Sequence, residues 1–293
     1  MQKIGILGGG FGLYGYMPAA IQANYTTLVL SKYKKLISAH PVLKKFLDQL
    51  IFIDSESELI DESDILVFAR TPELQFNLIK NLSDSSKIYF FEKPLAQNID
   101  NHHIAFNHLE KLKIKFSVNY ALLRTDWCEE LLRLSSKYSL QISINWELKK
   151  PLAQWKIESK LGGGLFNYYC IHFAPILKQL CIPVESINLV LESNKMEIFT
   201  DKNCENSINI KISYNSESIF NIIALEKFNK NPLYERYLHS PFGNEIVSDQ
   251  LDPRIDGIVK YYSETADPNF FREILSFEKY VLKFRGLIGS SGV

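Results

Sequence analysis

The chain has 293 residues, 46% hydrophobic and 23% charged, with 33 Lys plus Arg against 33 Asp plus Glu. That length suits two domains, the composition is that of a soluble globular protein, and the balanced charge lacks the basic excess that nucleic-acid binding would need. Four cysteines (Cys128, Cys170, Cys181, Cys204) stand far apart, with no C-x-x-C pair and no His/Cys cluster at metal spacing. They read as small buried hydrophobes in a reducing compartment, with no metal site.

The first half alternates short apolar runs with amphipathic ones. "KIGIL" (3–7) is a strand running into glycine, and a helix follows to about Asn24. Its first residues imitate a signal peptide, but glycines spaced like a phosphate loop point to a mature cytoplasmic domain. Next come strand "TTLVL" (26–30), a helix around 32–49, strand "IFI" (51–53), a helical turn in "ESELIDES" and strand "DILVFA" (64–69). "ELQFNLIKNL" (73–82) is an amphipathic helix, "KIYFFEKP" a strand, 99–112 a helix, and "KFSVNY" (115–120) a last strand. Strands alternating with helices predict a parallel doubly wound sheet, and unbroken apolar runs say that both faces are covered. No apolar run reaches the roughly 18 residues needed to cross a bilayer.

After Asn119 the rhythm changes. A helix (about 126–137) leads to the alternating strand "LQISINWEL" (140–148), a glycine cluster and a second helix (about 165–181). Longer alternating strands follow, "SINLVLES", "SINIKISY" and "SIFNIIALEKF", as in an antiparallel sheet with one covered face. The predicted architecture is therefore α/β, with a Rossmann doubly wound parallel sheet in 1–120 and an α/β domain with an open-faced, mainly antiparallel sheet in 121–293. The small residues of "GLIGSSGV" (286–293) predict a frayed end. There is no internal repeat.

"KIGILGGGFGLYG" places a glycine loop where a dinucleotide fold needs one, between first strand and first helix. Glycine permits positive φ and close approach to a pyrophosphate, which the amides of a helix N-terminus attract. Two registers compete. Gly8-x-Gly10-x-x-Leu13 begins at the strand end and is favoured, with Gly12 easing the packing. Gly10-x-Gly12-x-x-Gly15 matches the pattern fully but begins late. Phe11 lies inside both. The second strand ends "LVLSKYKK", without the carboxylate that NAD-selective sites place there for the ribose 2′-hydroxyl. Ser31, Lys32, Lys34 and Lys35 would instead hold a 2′-phosphate, so NADP(H) is favoured over NAD(H).

"FFEKPLA" (90–96) ends a strand with Glu92, Lys93 and Pro94. With the glycine loop, "ARTP", this segment, "WKIESKLGGG" and "IH" in order, the chain resembles the glucose–fructose oxidoreductase/inositol dehydrogenase (Gfo/Idh/MocA) family over essentially its whole length. The resemblance implies the two-domain fold just described, commonly as a dimer. It also implies hydride transfer between nicotinamide and a sugar, polyol or related carbonyl. Lys93 would sit by the nicotinamide and hydrogen-bond the reacting oxygen. The family's other catalytic pair follows its G-G-G, here Gly162-Gly163-Gly164. His172 fills the histidine slot, while Tyr168 stands where the family has an acid. Pro175 replaces another acid, Gln75 and Phe76 occupy the region of a histidine, and Leu122 takes the place of an arginine, with Arg124 nearby.

Residues four apart on a helix share a face, so Tyr168 and His172 can both look toward Lys93. Histidine, reference pKa about 6.5, can give or take the carbonyl's proton near neutrality. Tyrosine is a poor base but a serviceable acid, so Tyr168 favours reduction over oxidation. Asn119 and Tyr120 are expected on the nicotinamide side. Arg70, with Thr71 and Pro72, is expected against ribose or substrate, and Trp155 and Asn167 in the sugar pocket. His40, His102, His103, His108 and His239 are surface or core residues. The expected function is a cytoplasmic NADP(H)-dependent oxidoreductase of a keto-sugar, nucleotide-linked sugar or similar carbonyl or imine. The alternative is a cofactor-binding regulator that has lost turnover.

Overall fold

The computed structural model of the chain describes residues 2–149, 151, 153–201, 203–216, 218–239, 251–252 and 254–290. The chain divides into two compact units, Met1–Ala121 with Glu245–Leu275, and Leu122–Asn244 with Ser276–Val293.

The first unit is a doubly wound Rossmann sheet. Its elements are β1 (Lys3–Leu7), α1 (Met17–Gln22), β2 (Thr26–Leu30), α2 (Lys34–Ala39), β3 (Leu50–Ile53), α3 (Glu56–Glu62), β4 (Ile65–Phe68), α4 (Pro72–Lys80), β5 (Ile88–Phe91), α5 (Ile99–Lys111) and β6 (Lys115–Val118). All pairings are parallel, in the order β3-β2-β1-β4-β5-β6. Strand order therefore reverses between β1 and β4, and in such sheets ligands bind outside the carboxyl ends of strands at that switch point. Every residue of β4 is buried, as its unbroken apolar run requires.

The helix expected over 32–49 is interrupted. A 3₁₀ turn (Ser31–Tyr33) precedes α2, and a second one (Leu43–Gln49) follows Pro41. Proline supplies no amide and disfavours helix in the residue before it. The His40 imidazole takes up the break, its Nδ1 accepting from the amides of Val42 and Leu43 at 3.2 and 3.3 Å.

The second unit holds α6 (Asp126–Ser135), β7 (Leu140–Lys149), α7 (Gln154–Ile157), α8 (Ala174–Gln179), β8 (Ile187–Leu191), β9 (Lys195–Thr200), β10 (Ser207–Asn215), β11 (Ile219–Glu226) and β12 (Pro232–His239). Its sheet runs β12-β11-β7-β10-β9-β8. Neighbours are antiparallel except β7 and β10, which run parallel, so the sheet is mixed. The intervening helices and β8–β9 hairpin supply the long crossover that a parallel pair requires. Strict burial alternation in β7 puts Ile142, Ile144, Trp146 and Leu148 in the core and leaves the other face open.

Three further helices close the chain: α9 (Ile255–Glu264), α10 (Phe270–Arg285) and α11 (Leu287–Ser290). Residues 245–275 belong to the first unit, so a single boundary near 120 does not describe the division. Leu287–Ser290 is helical where a frayed end was expected, and 291–293 lie outside the described residues. Cys128 and Cys170 are buried, Cys204 is half-buried and Cys181 exposed, and all four are free thiols. Burial therefore accounts for two of the four.

Candidate functional site

In the first unit, the glycine loop leaves β1 with Gly8 at φ +142° and Gly10 at φ +50°. A Cβ on Gly8 would lie 2.1 Å from the Ala69 carbonyl oxygen at the end of β4, so only glycine lets the two strand ends approach. A Cβ on Gly12 would meet Ala69 and Ile6 at 3.2 and 3.4 Å, the tight helix–strand packing expected there. Gly10 differs, since a Cβ there meets nothing within 4 Å. The turn closes through bonds from Gly12 to the Gly9 carbonyl and from Leu13 and Tyr14 to that of Gly10. The amides of Gly10 and Phe11 take no part in these bonds. Positive φ, open space beside Gly10 and amides left out of the turn's bonds fit a pyrophosphate. Leu13 itself is fully buried and faces the core.

The carboxyl end of β5 carries Glu92-Lys93-Pro94, and Gln75 of α4 clamps it. The Gln75 amide nitrogen donates to the carbonyls of Glu92 (2.6 Å) and Pro94 (3.1 Å), and its oxygen accepts from the Glu92 amide (3.1 Å). One buried side chain thus brackets Lys93 on both sides, and Lys93 is only 6% exposed. The Lys93–Pro94 peptide is cis. Glu92 Oε1 accepts from the Tyr16 hydroxyl at 2.8 Å and from Asn119 Nδ2 at 3.1 Å. Burial first, then the Glu92 charge, hold the Tyr16 hydroxyl protonated well above its usual range. The buried Asn119 Oδ1 has no hydrogen-bond partner among the described residues, so an acceptor remains beside the turn. Tyr120 is buried.

Past the carboxyl ends of β3, β4 and β2, Glu56 pairs with Arg70 at 2.5 Å and with Lys32 at 3.4 Å. The Lys32 ammonium also lies 5.4 Å from the Tyr33 ring centroid, while Lys35 is exposed and Ser31 half-buried. Thr71 precedes α4 as its N-terminal cap residue and Pro72 takes the first turn.

In the second unit the glycine cluster serves close packing. A Cβ on Gly163 would lie 2.1 Å from the Trp155 carbonyl, and Gly162 and Gly164 have φ of +85° and +81°. The expected helix 165–181 is three segments: a π turn (Leu165–Tyr169), a 3₁₀ turn (Cys170–Phe173) and α8. Pro175 has no amide to continue an α ladder, and the turn before it closes in part from the Cys170 amide to the Leu165 carbonyl. Four-residue spacing therefore does not place Tyr168 and His172 in one row, since it defines a row only in an α-helix. The Tyr168 ring stands edge-on to Trp155 (5.3 Å) and Tyr169 (4.8 Å), with the Lys156 ammonium over it at 5.2 Å. His172 is buried with its ring 6.4 Å from Trp146. Asn167 is buried, its Oδ1 without a hydrogen-bond partner among the described residues.

Tyr16, Gln75 and Glu56 were not expected in these roles. Gln75 had a signal: it shares the buried stripe of α4 with Phe76 and Ile79, and a polar group there needs partners. Glu56 and Tyr16 carry no local mark. His40 caps a break, His102 is buried, His103 exposed, and His108 Nε2 lies 2.9 Å from the Leu82 carbonyl. The His239 side chain lies outside what is described. Among the described residues no His, Cys, Asp and Glu group could hold a metal, and no helix is long and apolar enough to cross a membrane.

No protein-family model matches the chain. No curated protein matches it either. Solved structures do. A Gfo/Idh/MocA family oxidoreductase from Vibrio cholerae has TM-score 0.69 at 11% identity, covering 100% of this chain and 99% of that one. The WlbA (WbpB) dehydrogenase of Thermus thermophilus, in complex with NAD and UDP-GlcNAcA, has TM-score 0.69 at 12% identity over 97% and 95% of the two chains. The chain has the Gfo/Idh/MocA fold. The WlbA dehydrogenase of Chromobacterium violaceum, in complex with NADH and UDP-GlcNAcA, shares that fold with TM-score 0.68 at 14% identity over 99% and 94%.

Proposed function

We propose that the chain is an oxidoreductase of the Gfo/Idh/MocA kind, moving a hydride between a nicotinamide dinucleotide and a sugar, nucleotide-linked sugar or related carbonyl. The observation that carries this reading is a buried lysine, Lys93, bracketed by the Gln75 clamp at the end of β5 in the same unit as the glycine loop. A bound dinucleotide would supply or accept the hydride. Gly8 to Leu13 hold its pyrophosphate, Arg70 to Pro72 its ribose, and Asn119 lies on the nicotinamide side. Lys93 donates a hydrogen bond to the reacting oxygen, His172 gives or takes the proton, and Tyr168 donates it in reduction. Tyr120, Trp155 and Asn167 contact the sugar. The neighbours in complex with UDP-GlcNAcA support a nucleotide-linked sugar. The expected preference for NADP(H) finds no support among neighbours with a named cofactor, which hold NAD or NADH, and NAD(H) belongs to this reading. So does a homodimer through the open face of the second sheet, where Val190, Phe199 and Tyr237 are exposed.

Substitution Lys93→Met is the test. NADH fluorescence should report binding within a few-fold of wild type, while single-turnover oxidation by a nucleotide-linked keto-sugar falls roughly 10²- to 10⁴-fold. Tyr168→Phe should slow reduction, and light scattering should give the mass of two chains. An unchanged rate in Lys93→Met overturns the reading. Binding of NADH without turnover of any keto-sugar supports the second reading, a cofactor-binding regulator. What favours that alternative is the packing of Tyr168 among Trp155, Tyr169 and Lys156, which an aromatic structural residue would also show.

A further inference from the structure

One carboxylate ties together the carboxyl ends of three strands in the first unit. Glu56, the first residue of α3, follows β3; Arg70 follows β4; Lys32 follows β2. The Arg70–Glu56 and Lys32–Glu56 distances are 2.5 and 3.4 Å. β3 and β4 are not neighbours, since β2 and β1 lie between them. The linkage therefore crosses the ends of the two strands over which this architecture binds adenosine and pyrophosphate. Ser55 fixes the start of α3 by accepting from the Glu58 amide at 3.2 Å, which holds Glu56 at the rim. Partial burial pushes the Glu56 carboxyl up, but Arg70 and Lys32 outweigh it and keep the group ionised below the usual range.

This arrangement bears on the basic end of β2. Ser31 to Lys35 hold no acid, and their cations would on their own welcome a 2′-phosphate. We infer that Glu56 sets the cofactor selectivity, bringing from β3 the carboxylate that NAD-selective sites usually carry at the end of β2. Glu56 pairs with Lys32, one of the cations expected to hold a 2′-phosphate, and with Arg70, so a phosphate there must either displace this carboxylate or lie beside it. A neutral 2′-hydroxyl meets no such repulsion and can donate a hydrogen bond to it. The inference rests on the dinucleotide reading above.

Dissociation constants of NADH and NADPH, measured by nucleotide fluorescence on the full chain, test it. Wild type should prefer NADH. Glu56→Gln and Glu56→Ala should shift the NADPH-to-NADH affinity ratio toward NADPH on the order of tenfold, with the shift shrinking as salt rises. Adding Lys32→Ala to Glu56→Gln should cancel much of the gain. An unchanged ratio in both Glu56 variants, with thermal melting like wild type, overturns the inference and leaves the oxidoreductase reading standing. A wild type that prefers NADPH does the same. Failure to bind either nucleotide overturns both.

Discussion

Gln75 commits both of its donors to one turn, to the carbonyls of Glu92 and Pro94, and its oxygen accepts from the Glu92 amide. The Glu92 amide has a second partner in the Phe68 carbonyl at 3.1 Å, so the sheet alone still holds one side of the turn. Gln75→Leu keeps the buried volume but leaves two carbonyls short of donors. It should cost roughly 2 kcal/mol or more of stability, read by denaturant melts. The diagnostic outcome is kinetic. If the clamp fixes Lys93, turnover should fall by a larger factor than NADH affinity, because the glycine loop is untouched. Equal losses in both, or neither, would make Gln75 a core residue with no part in positioning. This amide was legible in the sequence as a polar residue on an apolar stripe. Its partners were not, since they lie seventeen and nineteen positions away in a turn whose shape no spacing rule describes.

Two helical segments that local pattern reads as plain α-helix begin with a π turn, and both run into a proline. The segment after the glycine loop has its π turn at Gly12–Tyr16 with Pro18 just beyond, and the segment after the second glycine cluster has Leu165–Tyr169 with Pro175. Apolar periodicity reports which residues face a core, not which amides are missing, so it cannot distinguish these turns. Strands fared better, because a run such as "ILVF" buried on both faces has one reading. The strand β9 and the edge strand β12 escaped it: β12 starts at Pro232 and has no fully buried residue among those described. Within the glycine loop, two substitutions should separate fold from binding. Gly8→Ala drives a methyl into the Ala69 carbonyl and should cost about 1–3 kcal/mol in overpacking beyond the backbone strain. Gly10→Ala meets no atom and should cost about 1–2 kcal/mol from its left-handed φ alone. Yet its methyl points into the space assigned to the pyrophosphate, so NADH affinity should drop while the melt falls less than in Gly8→Ala. If instead Gly10→Ala binds normally and Gly12→Ala does not, the later glycine register is the right one.

On the scale of the molecule, the first unit is not contiguous. Residues 245–275 return to it after the whole second sheet, and α9 packs against α1. Tyr262, 1% exposed, is the wedge: its ring meets Phe90 at 4.9 Å and Tyr25 at 5.6 Å, and its hydroxyl donates to the Tyr16 carbonyl at 3.4 Å. Arg254 lays its guanidinium 4.0 Å from the Phe11 ring centroid in the glycine loop, held by both oxygens of Asp252. Burial raises the Asp252 carboxyl, but Arg254 outweighs it and the group titrates below its usual value. This latch therefore contributes above the ordinary carboxylate range and is lost as pH falls through the depressed value. The contacts that join this segment to the sheet are not local: Tyr16 and Tyr262 are 246 positions apart, and an amphipathic helix does not say which sheet it will cover. A fragment of residues 1–121, which the βα rhythm alone would mark as a self-sufficient domain, should fail to stand by itself. Losing the buried side chains of Tyr262, Ile258 and Ile255 removes about 1.5–3 kcal/mol each, a large part of a typical domain's 5–15 kcal/mol. The expected result is a broad, non-cooperative melt with dye-binding apolar surface, restored toward a single transition when 245–275 is fused to the fragment's C-terminus through a flexible linker. A sharp two-state transition in the bare fragment would mean that the returning segment only decorates a unit already complete.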